Sequence, residues 1–171
     1  MRTLLLMRHA KSSWDRPELA DIDRPLAPRG RKAAQAMARR MRKDRLRPDL
    51  VLCSPATRVR ETWDLLQEEL GEDPPPCRTL RALYPGAPSR VLAALSRTGD
   101  DVSSILLIGH NPGLASLALR LARTGAAKPR RLMEAKFPTA ALAILAFEVE
   151  HWSEIDAGGR LLDFIRPKDL G

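Results

Sequence analysis

Two of the chain's three histidines stand next to residue types that handle phosphoryl groups. Arg8-His9 closes a short apolar run, and His110-Asn111 closes another. A third run ends in Ser54-Pro55, with Arg58 one helical turn further on. Arginine offers a planar fork of donors that matches phosphate oxygens and stays charged at any working pH. A histidine that is neutral on its attacking nitrogen can act as a nucleophile at phosphorus. The group in transfer spreads charge over three equatorial oxygens, and nearby cations stabilise it. Arg8, His9, Arg58 and His110 therefore form a phosphoryl-transfer set if the fold brings them together. The histidines lack metal-ligand spacing and no carboxylate cluster accompanies them, so neither a metal nor another cofactor is expected. His151, beside Trp152 in a polar stretch, is expected to be structural or exposed.

The elements that must position this set follow from periodicity. Thr3–Met7 reads as a buried strand, followed by a polar loop to about Pro28. Arg29–Lys43 reads as a helix with Ala33, Met37 and Met41 inward. Asp49–Cys53 reads as a second strand, and Ser54-Pro55 as a capped helix start. Val59, Trp63, Leu66 and Leu70 share one face of that helix, and Gly71 ends it. Arg78–Leu83 is a candidate strand, and Ser89–Ser96 a helix with Val91, Leu92 and Leu95 inward. Ser104–Ile108 is a further strand, and Asn111-Pro112 repeats the cap-then-proline signal. Leu114, Leu117, Ala118 and Leu121 form the next helical stripe. Ala140–Val149 reads as a strand, and the remainder as loop with one strand at Leu161–Ile165. Alternating strands and helices imply a three-layer α/β/α sandwich around a mostly parallel sheet. In such sheets ligands bind beyond the carboxyl ends of the strands, where all three loaded turns would open together. The helices after Pro55 and Pro112 would aim their positive ends at the same place.

Size and composition bound the rest. The 171 residues, 44% hydrophobic, suit one domain over 1–171 with a core of Leu, Ala, Val and Ile. The net charge of +8 favours anions in general. Its densest runs, Arg29–Lys32, Arg39–Arg47 and Lys128–Arg131, read as solvated helix faces and loops. No aromatics interleave them, which argues against a nucleic-acid platform. Cys53 and Cys77 form no disulfide framework or metal motif and are expected to be free thiols in a reducing compartment. Thr3–Met7 is too short for a signal peptide or a membrane span, so the expected location is the cytoplasm, away from membranes.

The string Leu6-Met7-Arg8-His9-Ala10-Lys11-Ser12 resembles the Arg-His-Gly signature of the histidine phosphatase, or phosphoglycerate-mutase-like, superfamily. Ser54-Pro55-Ala56-Thr57-Arg58-Val59-Arg60-Glu61-Thr62 resembles its Ser-Pro-x-x-Arg-x-x-x-Thr block. Gly109-His110-Asn111-Pro112-Gly113 resembles its second-histidine block. Further features are similar to the small SixA-type phosphohistidine phosphatases. These are that last block, Asp23-Arg24-Pro25-Leu26 with Gly30, Phe137-Pro138-Thr139-Ala140-Ala141, and the ending Arg166-Pro167-Lys168-Asp169-Leu170. The resemblance then spans nearly the whole chain. It implies that His9 is the nucleophile and transient phosphohistidine, that Arg8, Arg58 and His110 bind the phosphoryl oxygens, and that water releases phosphate. It also implies a phosphorylated protein, or a small phosphorylated molecule, as the partner.

Two departures from the pattern carry information. Ala10 replaces the signature glycine, so the loop must manage without glycine's backbone freedom. Many relatives place a glutamate acid between the second strand and the second histidine, where this chain reads Arg81-Ala82-Leu83-Tyr84-Pro85-Gly86. Alkoxide leaving groups need a proton, whereas a phosphoramidate leaves through nitrogen and can be protonated on the imidazole itself. The missing acid favours phosphohistidine or another activated phosphate over a mutase reaction. Asp21 or Asp23 could still supply a proton, with Asp23 the expected organiser of the first loop through an arginine.

The leading expectation is a metal-independent phosphatase acting on protein phosphohistidine. A small-molecule phosphomonoesterase of the same family and a non-catalytic phosphate-binding module are its alternatives. A nucleic-acid-binding protein is a third class, resting on net charge alone and predicting affinity that falls steeply with salt.

Overall fold

The structure, a computed structural model, describes residues 1–170. Among the described residues seven strands form one sheet in the order β3-β2-β4-β1-β6-β7-β5. They are β1 (Arg2–Arg8), β2 (Leu50–Cys53), β3 (Cys77–Thr79), β4 (Ser104–Gly109), β5 (Ala122–Gly125), β6 (Leu142–Phe147) and β7 (Gly159–Ile165). The α-helices of the described residues are α1 (Pro28–Lys43), α2 (Thr57–Leu70), α3 (Pro88–Ser96), α4 (Gly113–Leu121) and α5 (Ala127–Ala135). β1 pairs in parallel with β4, β4 with β2, and β2 with β3. β6 runs antiparallel to both of its neighbours, β1 and β7. The sheet is mostly parallel, as expected.

The two-residue period of β1 builds the layers. Leu4 and Leu6 point into a core shared with Val91 and Leu95 of α3, Leu117 and Leu121 of α4, and Met133 of α5. Leu5 and Met7 point into the opposite core, with Met37 and Met41 of α1 and Val59, Trp63 and Leu66 of α2. Two helices thus cover one face and three the other. Leu4, Leu6, Met7 and the β4 residues Ile105 to Ile108 are fully buried. Strands buried on both faces read as continuous apolar runs, which is why β1 and β4 were legible from sequence.

Several boundaries differ from the expectation. The inward stripe of α1 is Ala34, Met37, Ala38 and Met41, with Ala33 only partly buried. The Arg78–Leu83 segment divides into the short edge strand β3 and a 3-10 turn at Arg81–Leu83. β5 and α5 occupy a stretch whose mixed basic composition gave no periodic signal. α2 starts at Thr57 and α4 at Gly113, with extended backbone at Ala56 and with Pro112 at the α4 cap position. Ser54 and Asn111 are therefore not the helix caps. Their side chains bind His110 and the Phe137 carbonyl instead, as described below.

Two glycines allow loops to close on the sheet edge. A methyl group at Gly30 would fall on the backbone carbonyl of Lys11, so α1 can pack against the loop after β1 only through glycine. A methyl at Gly113 would fall on the carbonyl of Gly86, which ties the start of α4 to the loop carrying Tyr84.

Candidate active site

β2, β4 and β1 lie side by side, and their carboxyl ends open into one crevice of about 560 Å³. Arg8, His9, Arg58 and His110 all line it, together with Asp21, Arg24, Tyr84 and Asn111. The four residues singled out by sequence are thus brought together from the ends of β1 and β4 and the first turn of α2. Three of them are buried, His9 at 7%, Arg58 at 6% and His110 at 6% exposure, and Arg8 is half-buried.

His9 is fixed in one tautomer. Its Nδ1 lies 2.7 Å from the carbonyl oxygen of Ala10, which can only accept. Nδ1 therefore carries the proton of the neutral ring, and Nε2 keeps its lone pair. Burial pushes the ring's pKa down to about 3, helped by the charges of His110, Arg58 and Arg8 and opposed by the Ala10 carbonyl. The ring is neutral at pH 7. The main chain beneath it is equally constrained. His9 N–H donates to Gly109 O at 3.1 Å, and Ala10 N–H donates to Thr62 Oγ1 at 3.0 Å. Thr62 in turn donates to the carbonyl of Arg58, four residues back on α2, at 2.7 Å. Among the described non-glycine residues only Arg45 and Ala140 have positive φ, so Ala10 needs no glycine-like conformation. Alanine is compatible with this loop.

The two arginines are held from different sides. Arg8 donates through one terminal nitrogen to the Phe137 carbonyl at 3.1 Å, while its buried Nε has no hydrogen-bond partner in the protein. Asn111 donates to the same carbonyl at 2.9 Å. A half-buried guanidinium whose buried Nε–H has no protein acceptor is a site that welcomes an oxyanion. Arg58 donates to the backbone carbonyl of Asp21 at 2.7 Å and to its Oδ2 at 3.0 Å. It also reaches within 3.4 Å of His110 Nδ1.

His110 is braced from behind. Its Nε2 lies 2.7 Å from Ser54 Oγ, which also accepts the Ala56 N–H at 3.1 Å. Arg58 can only donate, so in the neutral ring Nδ1 accepts from it and Nε2–H donates to Ser54 Oγ. Burial, then the charge of Arg58, lowers the His110 pKa to about 4. The two imidazole rings stand 5.2 Å apart.

The first loop corrects the expectation about its aspartates. Asp23 is exposed and makes no ion pair; Asp21 is the organiser. Asp21 accepts from Tyr84 Oη at 2.5 Å, from Arg58 at 3.0 Å and from Arg24 at 3.0 Å. The Tyr84 hydroxyl, with Arg58 and Arg24, holds the Asp21 carboxyl well below the usual carboxylate range. Asp21 is then ionised at neutral pH and has no proton to give. It is also the only carboxylate lining the crevice among the described residues.

Sequence reasoning placed Ser54 and Asn111 at the loaded turns but as helix caps, and it missed Tyr84 and Arg24 as parts of this arrangement. Tyr84 stands in the very segment where a glutamate was sought, and a polar aromatic in that place was the available signal. His151 lies at the opposite end of the sheet, exposed and paired with Asp100 at 2.9 Å. Cys53 and Cys77 are free thiols with sulfurs 3.4 Å apart. Among the described residues no group of three or more His, Cys, Asp or Glu side chains could hold a metal ion, and no helix is long and apolar enough to cross a membrane.

Comparison with known proteins places this geometry. The model of the histidine phosphatase superfamily (branch 1) matches residues 4–87. An uncharacterized protein of Mycobacterium tuberculosis, Rv1276c, is 41% identical over 156 residues, covering 89% of this chain and 93% of that protein. A Nakamurella multipartitia structure described as a candidate phosphohistidine phosphatase SixA superposes with a TM-score of 0.83 at 28% identity, covering 97% of this chain and 96% of the other. The protein histidine phosphatase SixA complexed with tungstate matches with a TM-score of 0.79 at 25% identity, covering 99% of both chains. With the family model on its first half and SixA-like architecture along nearly its full length, the chain belongs to the histidine phosphatase superfamily, in its SixA-like group.

Proposed function

We propose that the chain is a phosphatase that removes the phosphoryl group from a protein phosphohistidine, without a metal, by way of a phosphoryl group carried on His9. The observation that carries this reading is the state of His9. A neutral ring with its proton committed to the Ala10 carbonyl offers Nε2 to phosphorus, inside a crevice with the buried Arg58 and the half-buried Arg8. In the first step Nε2 bonds to phosphorus while the bond from phosphorus to the leaving nitrogen breaks. The leaving imidazole keeps the electron pair and takes its proton on its own ring. Arg8, Arg58 and His110 hold the equatorial oxygens as charge develops on them. Water then attacks the phosphohistidine at position 9, which restores the free ring and releases phosphate.

The substrate preference follows from Asp21. No carboxylic acid in the crevice is available to protonate an alkoxide, so leaving groups that need none are favoured. The similar SixA protein complexed with tungstate, a tetrahedral oxyanion, is compatible with an anion pocket of this kind. Two free thiols fit a reducing compartment such as the cytoplasm.

The test is a substrate panel of phosphohistidine protein, phosphoserine peptide, sugar phosphates and nucleotides, run with wild type and His9→Ala. Wild type is expected to turn over phosphohistidine best, and His9→Ala to lose at least about 10³-fold in kcat, as nucleophile removal does elsewhere. Radiolabel trapped at alkaline pH, where a phosphoramidate survives, is expected on His9. Full activity of His9→Ala would remove the mechanism. Faster turnover of sugar phosphates would move the assignment to a small-molecule phosphomonoesterase.

A further inference from the structure

Trp14 is an anomaly of this surface. The chain has three tryptophans, and the other two are buried, Trp63 at 6% and Trp152 at 0% exposure. Trp14 is 70% exposed and lines the mouth of the crevice that holds His9. Leaving so large an apolar ring in water forfeits the burial that tryptophans normally obtain.

The ring is nevertheless not adrift. The Arg24 guanidinium carbon sits over one face, 3.2 Å from its centroid. Arg24 is itself 7% exposed and is locked by Asp21 Oδ1 at 3.0 Å, by the carbonyl of Ser13 at 3.1 Å and by Ser12 Oγ. The same Asp21 holds Arg58, so the support of the indole and the support of the phosphoryl pocket are one network. Ser12 is tied down in turn by a bridge to Leu26. With one face covered by Arg24, the exposure of Trp14 comes from its opposite face and its edges. A pre-positioned, half-covered indole beside a phosphoryl site is a stacking surface for a ring.

We propose that Trp14, backed by Arg24, forms the leaving-group subsite and stacks on the planar ring from which the phosphoryl group departs. Its ligand class is an aromatic or heteroaromatic ring bonded directly to phosphorus through nitrogen or oxygen: a phosphorylated imidazole or an aryl phosphate. The subsite rests on the phosphatase reading for its place in a reaction, although ring binding itself does not depend on turnover. Trp14 acts on the departing ring only, so it sets preference among substrates and takes no part in bonding to phosphorus.

Two measurements test this. The first is the ratio of kcat/KM for phosphoimidazole to kcat/KM for acetyl phosphate, an activated substrate without a ring. Stacked rings in binding sites are worth roughly tenfold or more in binding. Trp14→Ala is expected to lower the ratio about tenfold, mainly through KM for phosphoimidazole, and Trp14→Phe to restore most of it. An unchanged ratio in Trp14→Ala overturns the subsite while leaving the phosphatase intact. The second measurement needs no turnover. In His9→Ala protein, Trp14 is the only exposed tryptophan, and stacking removes water from it. Titration with phosphoimidazole is expected to shift the emission to the blue in a saturable way, with no shift in His9→Ala/Trp14→Phe protein or with inorganic phosphate alone. If no substrate is turned over at all, the phosphatase reading fails, and the emission titration still decides the subsite: no shift overturns it.

Discussion

At the scale of single residues, the decisive facts are which nitrogen holds a proton and which carboxyl cannot. His9 Nε2 is free because Nδ1–H has only an acceptor in front of it. Its pKa of about 3 places the neutral, nucleophilic form well below the ordinary imidazole range. Phosphoryl transfer to His9, followed by trapped label across pH, is expected to keep its full rate down to about pH 5. A fall centred near pH 6.5 would show that burial does not hold the ring neutral. Ser54 is fully buried and sits between His110 Nε2 and the Ala56 N–H. Ser54→Ala leaves that imidazole nitrogen and that amide without their partner. It is expected to cost about 1–3 kcal/mol of stability in urea unfolding and about tenfold in kcat. Loss of stability with unchanged kcat would reduce Ser54 to a structural role.

At the scale of elements, the site depends on how closely loops approach one another. α1 meets the loop after β1 at Gly30, and the start of α4 meets the Tyr84 loop at Gly113. A methyl at either position must displace backbone, which is the costly kind of overpacking, about 1–3 kcal/mol. Gly30→Ala and Gly113→Ala are both expected to lower the urea midpoint. Gly30→Ala is expected to reduce kcat as well, because Lys11 follows His9 and Ala10 directly. Wild-type midpoints in both variants would mean that the loops can part without cost. Legibility also varied by element. β1, β4 and the α4 stripe were plain because they are buried and periodic, whereas α5 and β5 carry mixed polar faces that give no period. The expected caps at Ser54 and Asn111 failed because a side chain that can cap a helix can also bind a histidine or a carbonyl. Only the neighbours decide between these uses.

At the scale of the whole molecule, charge and burial set the response to solution conditions. Both crevice histidines have folded pKa values, about 3 and about 4, below the 6.5 of a free imidazole. The unfolded chain therefore binds more protons between those values and 6.5. Their contribution is complete above pH 6.5 and is lost as pH falls through that window, about 2 kcal/mol each by pH 5. Urea midpoints at pH 7 and pH 5 measure it, and an equal midpoint at both would contradict the neutral-histidine crevice. The +8 charge acts at longer range. Capture of an acidic phosphoprotein is expected to slow several-fold as salt rises from about 50 to 500 mM, seen in kcat/KM. Salt independence would confine electrostatics to the crevice.

The sequence by itself determined the strand ends, the alternation of strands and helices, and the four residues Arg8, His9, Arg58 and His110. These are local facts: apolar runs, helical stripes and residue types. Tertiary structure alone decided how those residues are held. It made Asp21 rather than Asp23 the organiser, because Arg58 comes from α2, 37 residues along the chain, and Tyr84 from a loop 63 residues along. It made Ala10 acceptable, because the backbone there keeps a conformation open to any residue. It left Trp14 exposed against Arg24 at the crevice mouth. Hydrogen bonds and stacking between distant segments depend on distance in space, which no spacing along the chain encodes.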